Sequence, residues 1–269
     1  MFFKTKDLMT VGNITGGLAC AAVAMEGMAA TTPAQATQYV FWSGMMMFVA
    51  YIFDSFDGVV ARLLKQANQF GAEFDNIADL VAYSIAPGFM LYLVYRKAVI
   101  LPGLEDHPQI QLLIAILVGL LLPVSGCIRF ARFQIRKLDV QGLWIGFPRP
   151  ASALAIVALV NSHLFQISPI MHWVGVVFVF GLAAMNLSLV PFIGHHGRKW
   201  SWYLKIILNF VWMTVAFSIV LGVFFDVVPK RLAFDWTLIW LSFYLFVGWT
   251  DISTATRMEV KRLTADWND

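Results

Sequence analysis

Charged side chains are scarce in this sequence, because Asp, Glu, Lys and Arg together make up only 13% of its 269 residues. Hydrophobic residues make up 59%, and the mean hydropathy is +0.73. A soluble domain of ordinary composition is about one quarter charged, so this balance excludes such a domain and indicates an integral membrane protein. The formal net charge of +3 is also too small to suggest a nucleic-acid partner.

Cysteine is nearly absent. The two cysteines, Cys20 and Cys127, both fall in apolar segments, where we expect buried free thiols. This excludes a disulfide scaffold and a cysteine-ligated zinc site. The sequence also lacks an internal repeat, a low-complexity tract and a linker long enough to separate two domains. We therefore predict one domain over residues 1–269.

Long apolar runs are what the sequence does contain. About eight of them are long enough to cross ~30 Å of hydrocarbon as helices, and we predict an all-α polytopic membrane bundle of about eight transmembrane helices. The first run is interrupted by Gly12, Asn13 and Gly16 and is followed by further spans, so we interpret it as a span and not as a signal peptide. The predicted spans are roughly 8–30, 38–61, 74–95, 109–131, 150–167, 170–193, 203–227 and 234–252.

Basic residues are distributed unevenly between the two sides of these spans. Of the 19 Lys and Arg residues, only Arg96, Lys97, Lys230 and Arg231 fall on the far side when the N-terminus is placed in the cytoplasm. Because cytoplasmic loops are enriched in Lys and Arg, we expect both termini on the cytoplasmic face of the cell (inner) membrane. The loop between the second and third spans then faces the cytoplasm as well, and the basic residues suit anionic lipid headgroups there.

Four aspartates stand out in this apolar setting. Asp54 and Asp57 lie near the end of the second predicted span, and Asp75 and Asp79 lie at the start of the third. An acidic side chain at the centre of a membrane helix costs roughly 2.5–3.5 kcal/mol, so four of them near one boundary indicate a neutralising cation. Two other interpretations are open, because isolated acids at helix ends are often simply solvated and cation-coupled transporters also use intramembrane carboxylates.

Helical spacing arranges these aspartates into two stripes, because residues three and four apart share a helix face. The first pair shares its stripe with Gly58 and Ala61, whose small size leaves room for a large polar group, and the second pair shares its stripe with Gly71. Two antiparallel helices joined by a short loop can bring all four carboxylates together. Oxygen ligands of this kind suit Mg²⁺ or Mn²⁺, which commonly serve in phosphoryl transfer.

The string D-x2-D-G-x2-A-R-x8-G-x3-D-x3-D is complete in this stretch. It resembles the signature of the CDP-alcohol phosphatidyltransferases, which implies a transferase that displaces CMP from a CDP-linked lipid with the hydroxyl of a second alcohol. The resemblance also implies that Asp79 acts as the general base. It assigns divalent metal binding to Asp54, Asp57, Asp75 and Asp79, and nucleotide contacts to Gly58, Ala61, Arg62 and Gly71. Asn13 of the first span borders the nucleotide in this interpretation, or else forms an interhelical hydrogen bond.

Two further segments resemble one branch of the family, the membrane-spanning phosphatidylserine synthases of bacteria and archaea. One continues the signature into the third span, and the other begins at Ser125 with S-G-C-I-R-F-A-R-F and is followed by G-F-P-R-P-A-S-A. This resemblance implies CDP-diacylglycerol and L-serine as substrates. Arg129 and Arg132, three apart on one helix face, are candidates to hold the serine carboxylate or a lipid phosphate. Ordinary anchoring of a cytoplasmic helix end explains such arginines equally well.

The sequence departs from that branch at several positions. Asn76 replaces a common serine, Tyr83 replaces a common phenylalanine, and Arg149 lies between two prolines where a small or polar residue is expected. These departures keep open other acceptors of the family, such as glycerol 3-phosphate, an inositol phosphate or choline, and a cation-coupled transporter is the alternative outside it. Members of the family are commonly dimeric, so a homodimer is also expected.

Overall fold

The computed structural model describes residues 4–64, 68–135, 142–194, 202–250, 252 and 254–264. This part of the chain is almost entirely helical, which confirms the all-α architecture predicted from composition. The helices are α1 (Asp7–Glu26), α2 (Pro33–Leu64), α3 (Gln69–Leu80), α4 (Ala86–Leu93), α5 (Pro108–Ile135), α6 (Arg149–Asn161), α7 (His163–Ile167), α8 (Ile170–Leu187), α9 (Trp202–Ile219), α10 (Leu232–Thr250) and α11 (Thr254–Leu263). Single π-helical turns at Val81–Ile85, Val94–Ala98 and Val220–Phe224 follow α3, α4 and α9, and a 3₁₀ turn at Gly27–Ala29 follows α1.

Five helical stretches within the described ranges are long and apolar enough to cross a membrane, as expected of a multi-pass membrane protein. They are Asp7–Ala29, Pro33–Gly58, Gln69–Ala98, Pro108–Ile135 and Ile170–Leu187. Shorter apolar stretches at Arg149–Asn161, Met213–Phe224 and Leu232–Leu245 lie where the fifth, seventh and eighth spans were predicted. The eight predicted segments therefore all correspond to apolar helices, of which five qualify as spans by length and composition.

The fifth predicted segment is divided into two helices. α6 has 13 residues, a length of about 20 Å, and it ends at Asn161 because Ser162 adopts an extended backbone with ψ 154°. The Ser162 hydroxyl instead accepts a hydrogen bond from the Phe165 backbone N–H at 3.1 Å and so caps α7. Arg231, just before α10, donates to the Asn161 carbonyl at 3.0 Å. A local serine cap thus overrides the apolar run that predicted a continuous span.

Small residues let α1 pack closely against both of its neighbours. A Cβ atom on Gly16 would lie 2.7 Å from the backbone nitrogen of Ala50 in α2. A Cβ atom on Gly17 would lie 2.5 Å from the Cα atom of Ala82, in the π-helical turn that follows α3. No side chain fits at those separations, so the two glycines permit helix contacts that a larger residue would prevent. This packing brings the polar residues of α1 to the aspartates of α2 and α3.

The helix ends meet in two groups. At one end, Lys97 donates to the Ala30 carbonyl at 3.4 Å and Gln111 donates to the Val99 carbonyl at 2.6 Å. The start of α1, the end of α2 and the start of α3 meet at the other end, which we call the site end. Two short antiparallel strands follow α5 and α8 there, β1 (Leu143–Ile145) and β2 (Pro191–Ile193), with Trp144 opposite Phe192.

The two cysteines differ in their surroundings, although both are free thiols. Cys20 is buried in α1, as predicted, and its Sγ atom lies 3.1 Å from the Ser43 hydroxyl. The prediction that Cys127 is buried is wrong, because this residue is exposed on α5 beside the exposed side chains of Val124 and Ile128. An apolar run in a membrane helix has an outward face for lipid as well as an inward face, and Cys127 lies on the outward one.

Candidate metal and catalytic centre

The start of α3 determines where two of the aspartates lie. α3 begins at Gln69 because Asn68 caps it, its Oδ1 atom accepting a hydrogen bond from the Gly71 backbone N–H at 2.9 Å. From that start, Asp75 and Asp79 fall one helical turn apart, facing the end of α2. The end of α2 and the start of α3 therefore meet at the aspartates, as the sequence led us to expect.

Three of the four aspartates form a cluster at the site end. The carboxylate oxygens of Asp54, Asp75 and Asp79 lie within 4.8 Å of one another, and the three side chains are partly buried. Asp57 is not part of this group, because its carboxylate accepts a hydrogen bond from the Thr10 hydroxyl and is 8% exposed. Like charges at such separations repel each other unless a cation lies between them, so the cluster is a candidate cation site.

Asn13 joins the first span to this cluster. Its Nδ2 atom donates to Asp79 Oδ1 at 3.2 Å and lies 3.5 Å from Asp54 Oδ1. The side chain is fully buried, and its Oδ1 atom finds no hydrogen-bond partner in the part of the chain that is described. The interhelical hydrogen bond considered from the sequence is therefore present. The contact with a nucleotide stays a prediction.

A guanidinium group lies against the cluster from the opposite side. Arg149 is the first residue of α6, and its Nη2 atom lies 3.5 Å from Asp79 Oδ2. Its Nη1 atom donates to the Asn76 main-chain carbonyl at 3.4 Å, and its Cζ atom lies 6.0 Å from the ring centroid of Phe130. Sequence reasoning did not assign Arg149 to the site. The only signal was its unexpected position between two prolines, where α6 begins.

Comparison with known families accounts for this arrangement. The family model described as CDP-alcohol phosphatidyltransferase matches residues 5–181, about two thirds of the chain. The chain belongs to the CDP-alcohol phosphatidyltransferase family. The match extends from α1 into α8, so it includes the aspartate cluster, Asn13 and Arg149. The resemblance based on the signature is confirmed.

Three curated relatives are described as CDP-diacylglycerol–serine O-phosphatidyltransferase. The protein of that name from Methanocaldococcus jannaschii is 35% identical over 124 residues, covering 45% of this chain and 53% of the relative. The Helicobacter pylori protein is 29% identical over 189 residues, covering 68% and 73%, and the Bacillus subtilis protein is 28% identical over 185 residues, covering 69% and 87%. The chain thus matches about half of the archaeal relative's length and more of the two bacterial ones.

The clustered aspartates of this chain are suitable ligands for a divalent metal ion. Members of the family generally use such ions, and the three clustered carboxylates offer the oxygen ligands that hard cations prefer. The unpartnered Oδ1 atom of Asn13 is a further buried oxygen beside them. A buried acceptor without a partner costs about 1–3 kcal/mol, so a cation or a donor from a ligand would relieve an existing deficit.

Arg129 and Arg132 donate hydrogen bonds to main-chain carbonyls at the end of α8. Arg129 is 4% exposed, and its Nη1 atom donates to the Asn186 carbonyl at 3.0 Å. Arg132 Nη1 donates to the Leu187 carbonyl at 2.7 Å, and its Nη2 atom lies 3.4 Å from the Ser188 carbonyl. Both guanidinium groups thus satisfy carbonyls that a helix leaves unpaired at its C-terminus. Their binding of an acceptor or a lipid phosphate stays a prediction.

The residues predicted to contact the nucleotide have different environments. Gly58 is exposed on α2, whereas Gly71 is buried where α3 meets the start of α1. A Cβ atom on Gly71 would lie 2.7 Å from Oδ1 of Asp7, so this glycine permits close packing of α1 and α3. The side chains of Ala61 and Arg62 lie outside the described part of the structure.

Tyr83 is a second residue that sequence reasoning did not assign to the site. It lies one turn beyond Asp79, in the π-helical turn, and is 1% exposed. Its hydroxyl lies near the carboxylates of Asp54 and Asp79. The signal in the sequence was a tyrosine where the family branch usually has phenylalanine, which adds one polar atom to an otherwise apolar position.

Proposed function

We propose that the chain transfers the phosphatidyl group of CDP-diacylglycerol to L-serine, producing phosphatidylserine and CMP. Membership of the CDP-alcohol phosphatidyltransferase family supports the phosphatidyl transfer, and the descriptions of the relatives support serine as the acceptor. The observation that carries the proposal is the cluster of Asp54, Asp75 and Asp79 at the end of two spans. In this proposal the lipid-linked nucleotide reaches the site from the bilayer and the polar alcohol reaches it from water.

In this proposal Asp54, Asp57, Asp75 and Asp79 hold Mg²⁺ or Mn²⁺. When bound, the metal neutralises the repulsion between these carboxylates and the pyrophosphate of CDP-diacylglycerol. Gly58, Ala61, Arg62 and Gly71 contact or accommodate the cytidine diphosphate, as the family signature implies.

Asp79 is the proposed general base. The acceptor hydroxyl oxygen forms a bond to the phosphorus that carries diacylglycerol, the bond from that phosphorus to the CMP oxygen breaks, and the hydroxyl proton passes to Asp79. The hydrogen bond from Asn13 Nδ2 at 3.2 Å fixes one Asp79 oxygen and leaves the other toward Arg149. An orienting contact of this kind keeps the base in one rotamer while the acceptor approaches.

The proposal places the site on the cytoplasmic side of the cell (inner) membrane. This orientation rests on the uneven distribution of Lys and Arg in the sequence, because most of these residues fall on the same side of the predicted spans as the aspartates. Serine and CMP are soluble molecules that exchange with the cytoplasm in this orientation. A homodimer is proposed on the family resemblance alone.

A competition assay with the purified protein tests the function. CDP-diacylglycerol is supplied with Mn²⁺ or Mg²⁺ and with serine, glycerol 3-phosphate, an inositol phosphate and choline together, and the lipid products are identified by mass spectrometry. We expect phosphatidylserine and CMP in equal amounts, both abolished by EDTA. A different phospholipid would refute the serine acceptor, and the absence of CMP release under all conditions would refute phosphatidyl transfer.

A further inference from the structure

Arg149 stands out because its charge faces the proposed base directly. The ion pair between Arg149 and Asp79 reaches the clustered aspartates from α6. The Arg149 side chain is 13% exposed, so it remains accessible to a small molecule. Its position at the N-terminus of α6 adds the positive end of a helix dipole to its own charge. This side of the cluster is therefore suited to an anion.

Arg149 and Asp79 lie close enough together for one small hydroxy acid to contact both side chains. A general base must lie within about 2.6–3.2 Å of the hydroxyl oxygen that it deprotonates. In serine, two carbon atoms separate the hydroxyl oxygen from the carboxylate carbon, which places the carboxylate oxygens ~3–5 Å from the hydroxyl. Because Arg149 Nη2 lies 3.5 Å from Asp79 Oδ2, one serine molecule can reach both side chains at once.

Arg149 also has N–H groups that its described contacts do not use. A guanidinium group offers five N–H bonds in a planar fork. The described contacts use Nη1 for the Asn76 carbonyl and Nη2 toward Asp79. The remaining N–H bonds can bind a carboxylate through charge-assisted hydrogen bonds. Arg129 and Arg132, by contrast, direct their guanidinium groups at the carbonyls that end α8.

We propose that Arg149 is a specificity-determining residue that binds the carboxylate of the acceptor, so that the enzyme selects hydroxy amino acids over alcohols without an acidic group. This inference rests on the proposed function, because it identifies what the same site recognises in its second substrate. It assigns the acceptor carboxylate to Arg149 rather than to Arg129 or Arg132.

Steady-state kinetics with paired acceptors test the inference. L-Serine is compared with L-serine amide, which keeps the hydroxyl and amino groups but lacks the carboxylate. In R149Q we expect the KM for serine to rise ~10- to 100-fold, as for the loss of a charge-assisted contact. The ratio of kcat/KM for serine to kcat/KM for serine amide should fall by a similar ~10- to 100-fold, because any effect of R149Q on the base is common to both acceptors, and the KM for CDP-diacylglycerol should remain within about threefold of wild type. R149K should fall between wild type and R149Q, because an ammonium keeps the charge but not the fork.

A binding measurement and a matched control complete the design. Serine should raise the apparent Tm of the wild-type protein in Mn²⁺ without CDP-diacylglycerol, and this rise should be lost in R149Q. R231Q is the control, because Arg231 also donates to a main-chain carbonyl of α6 but at Asn161, the other end of that helix. Its KM for serine should equal that of wild type. If R149Q folds poorly, the same kinetics are measured with R149K, whose KM for serine should be ~3- to 10-fold above that of wild type.

Several outcomes would overturn the inference. A raised KM for CDP-diacylglycerol with an unchanged KM for serine would make Arg149 a ligand of the lipid nucleotide. Equal losses of kcat/KM for serine and for serine amide would show that no carboxylate is sensed. Phosphatidylserine formation by wild type with an unaffected R149Q would refute this inference alone. Failure of wild type to form phosphatidylserine would refute the proposed function and this inference together.

Discussion

Replacing Asp75 by Asn should stabilise the metal-free protein while abolishing its response to metal. The carboxylate oxygens of Asp75 lie within 4.8 Å of those of Asp54 and Asp79, and the guanidinium group of Arg149 lies beside Asp79. At 4.8 Å, two unit charges repel by about 3.5 kcal/mol at an effective dielectric constant of 20. The attraction to Arg149, proton uptake and solvent access offset much of this repulsion. We therefore expect a net gain of about 1–3 kcal/mol when the Asp75 charge is removed.

The assay is thermal unfolding of the purified protein in detergent, with EDTA or with excess Mn²⁺. For a chain of this size, 1 kcal/mol corresponds to about 2–4 °C, so D75N should unfold roughly 3–10 °C above wild type in EDTA. In Mn²⁺ the wild-type protein should gain stability in proportion to the occupancy of its site. D75N should gain little, because one of the three clustered oxygen ligands is lost.

Glu73 provides a matched control on the same helix. Its carboxylate accepts a hydrogen bond from Gln134 Nε2 at 2.9 Å and is not a member of the aspartate cluster. E73Q removes one acidic charge two residues from Asp75 and should leave both the apparent Tm in EDTA and the Mn²⁺ response unchanged. The reasoning would be refuted if D75N were no more stable than wild type in EDTA and still responded fully to Mn²⁺.

Three further substitutions probe the base and the end of α8. D79N should reduce phosphatidylserine formation and CMP release by ~10²–10⁴-fold, measured by the lipid assay, and activity near wild type would contradict a role as base. G146A should lower the apparent Tm by roughly 4–8 °C, because Gly146 has φ +71° and an added Cβ would lie 2.8 Å from the Asn186 and Ser188 carbonyls. R129M should cost about 1–3 kcal/mol, measured by denaturation, through the unpaired Asn186 carbonyl. Its Mn²⁺ response should remain, and its loss would contradict a purely structural role.

The aspartate cluster could be predicted because its information is local in the sequence. Asp75 and Asp79 are four apart on one helix, so helical periodicity alone puts them on one face. The stretch between α2 and α3 is short, so the return of the chain was expected from the same residues, whereas the Asn68 cap that begins α3 was not part of that expectation. The family signature covers this local unit, which is why residue pattern and structure agree there.

Contacts between distant helices could not be derived in the same way. The hydroxyl of Thr10 donates a hydrogen bond to Asp57 beside the cluster. The spacing of residues 54–79 does not indicate that a residue of the first span makes this contact. Arg149 reaches Asp79 from a helix 70 positions later, and its direction depends on where α6 starts between two prolines. Such contacts depend on how helices pack in three dimensions, and hydrophobic periodicity carries no signal for them.

Lipid exposure and local caps explain the two other differences. In a membrane helix both the packed and the lipid-facing residues are apolar, so an apolar run did not reveal that Cys127 faces outward. The fifth predicted span is divided at Ser162 because its hydroxyl accepts a hydrogen bond from the Phe165 backbone N–H and begins a new helix there. A single residue decided only the second case, whereas the exposure of Cys127 depends on which face of α5 packs against its neighbours.

The charges at the site end bear on how metal and nucleotide are bound together. Three clustered carboxylates and one guanidinium leave a net charge of about −2 when all are ionised, which a single divalent cation neutralises. In the proposed function, the pyrophosphate of CDP-diacylglycerol brings about two further negative charges, and Asp57 lies close by. A second divalent ion or basic side chains such as Arg62 must balance them, so the site should bind nucleotide poorly without metal. Because each ligand neutralises charge for the other, their affinities are reciprocally coupled.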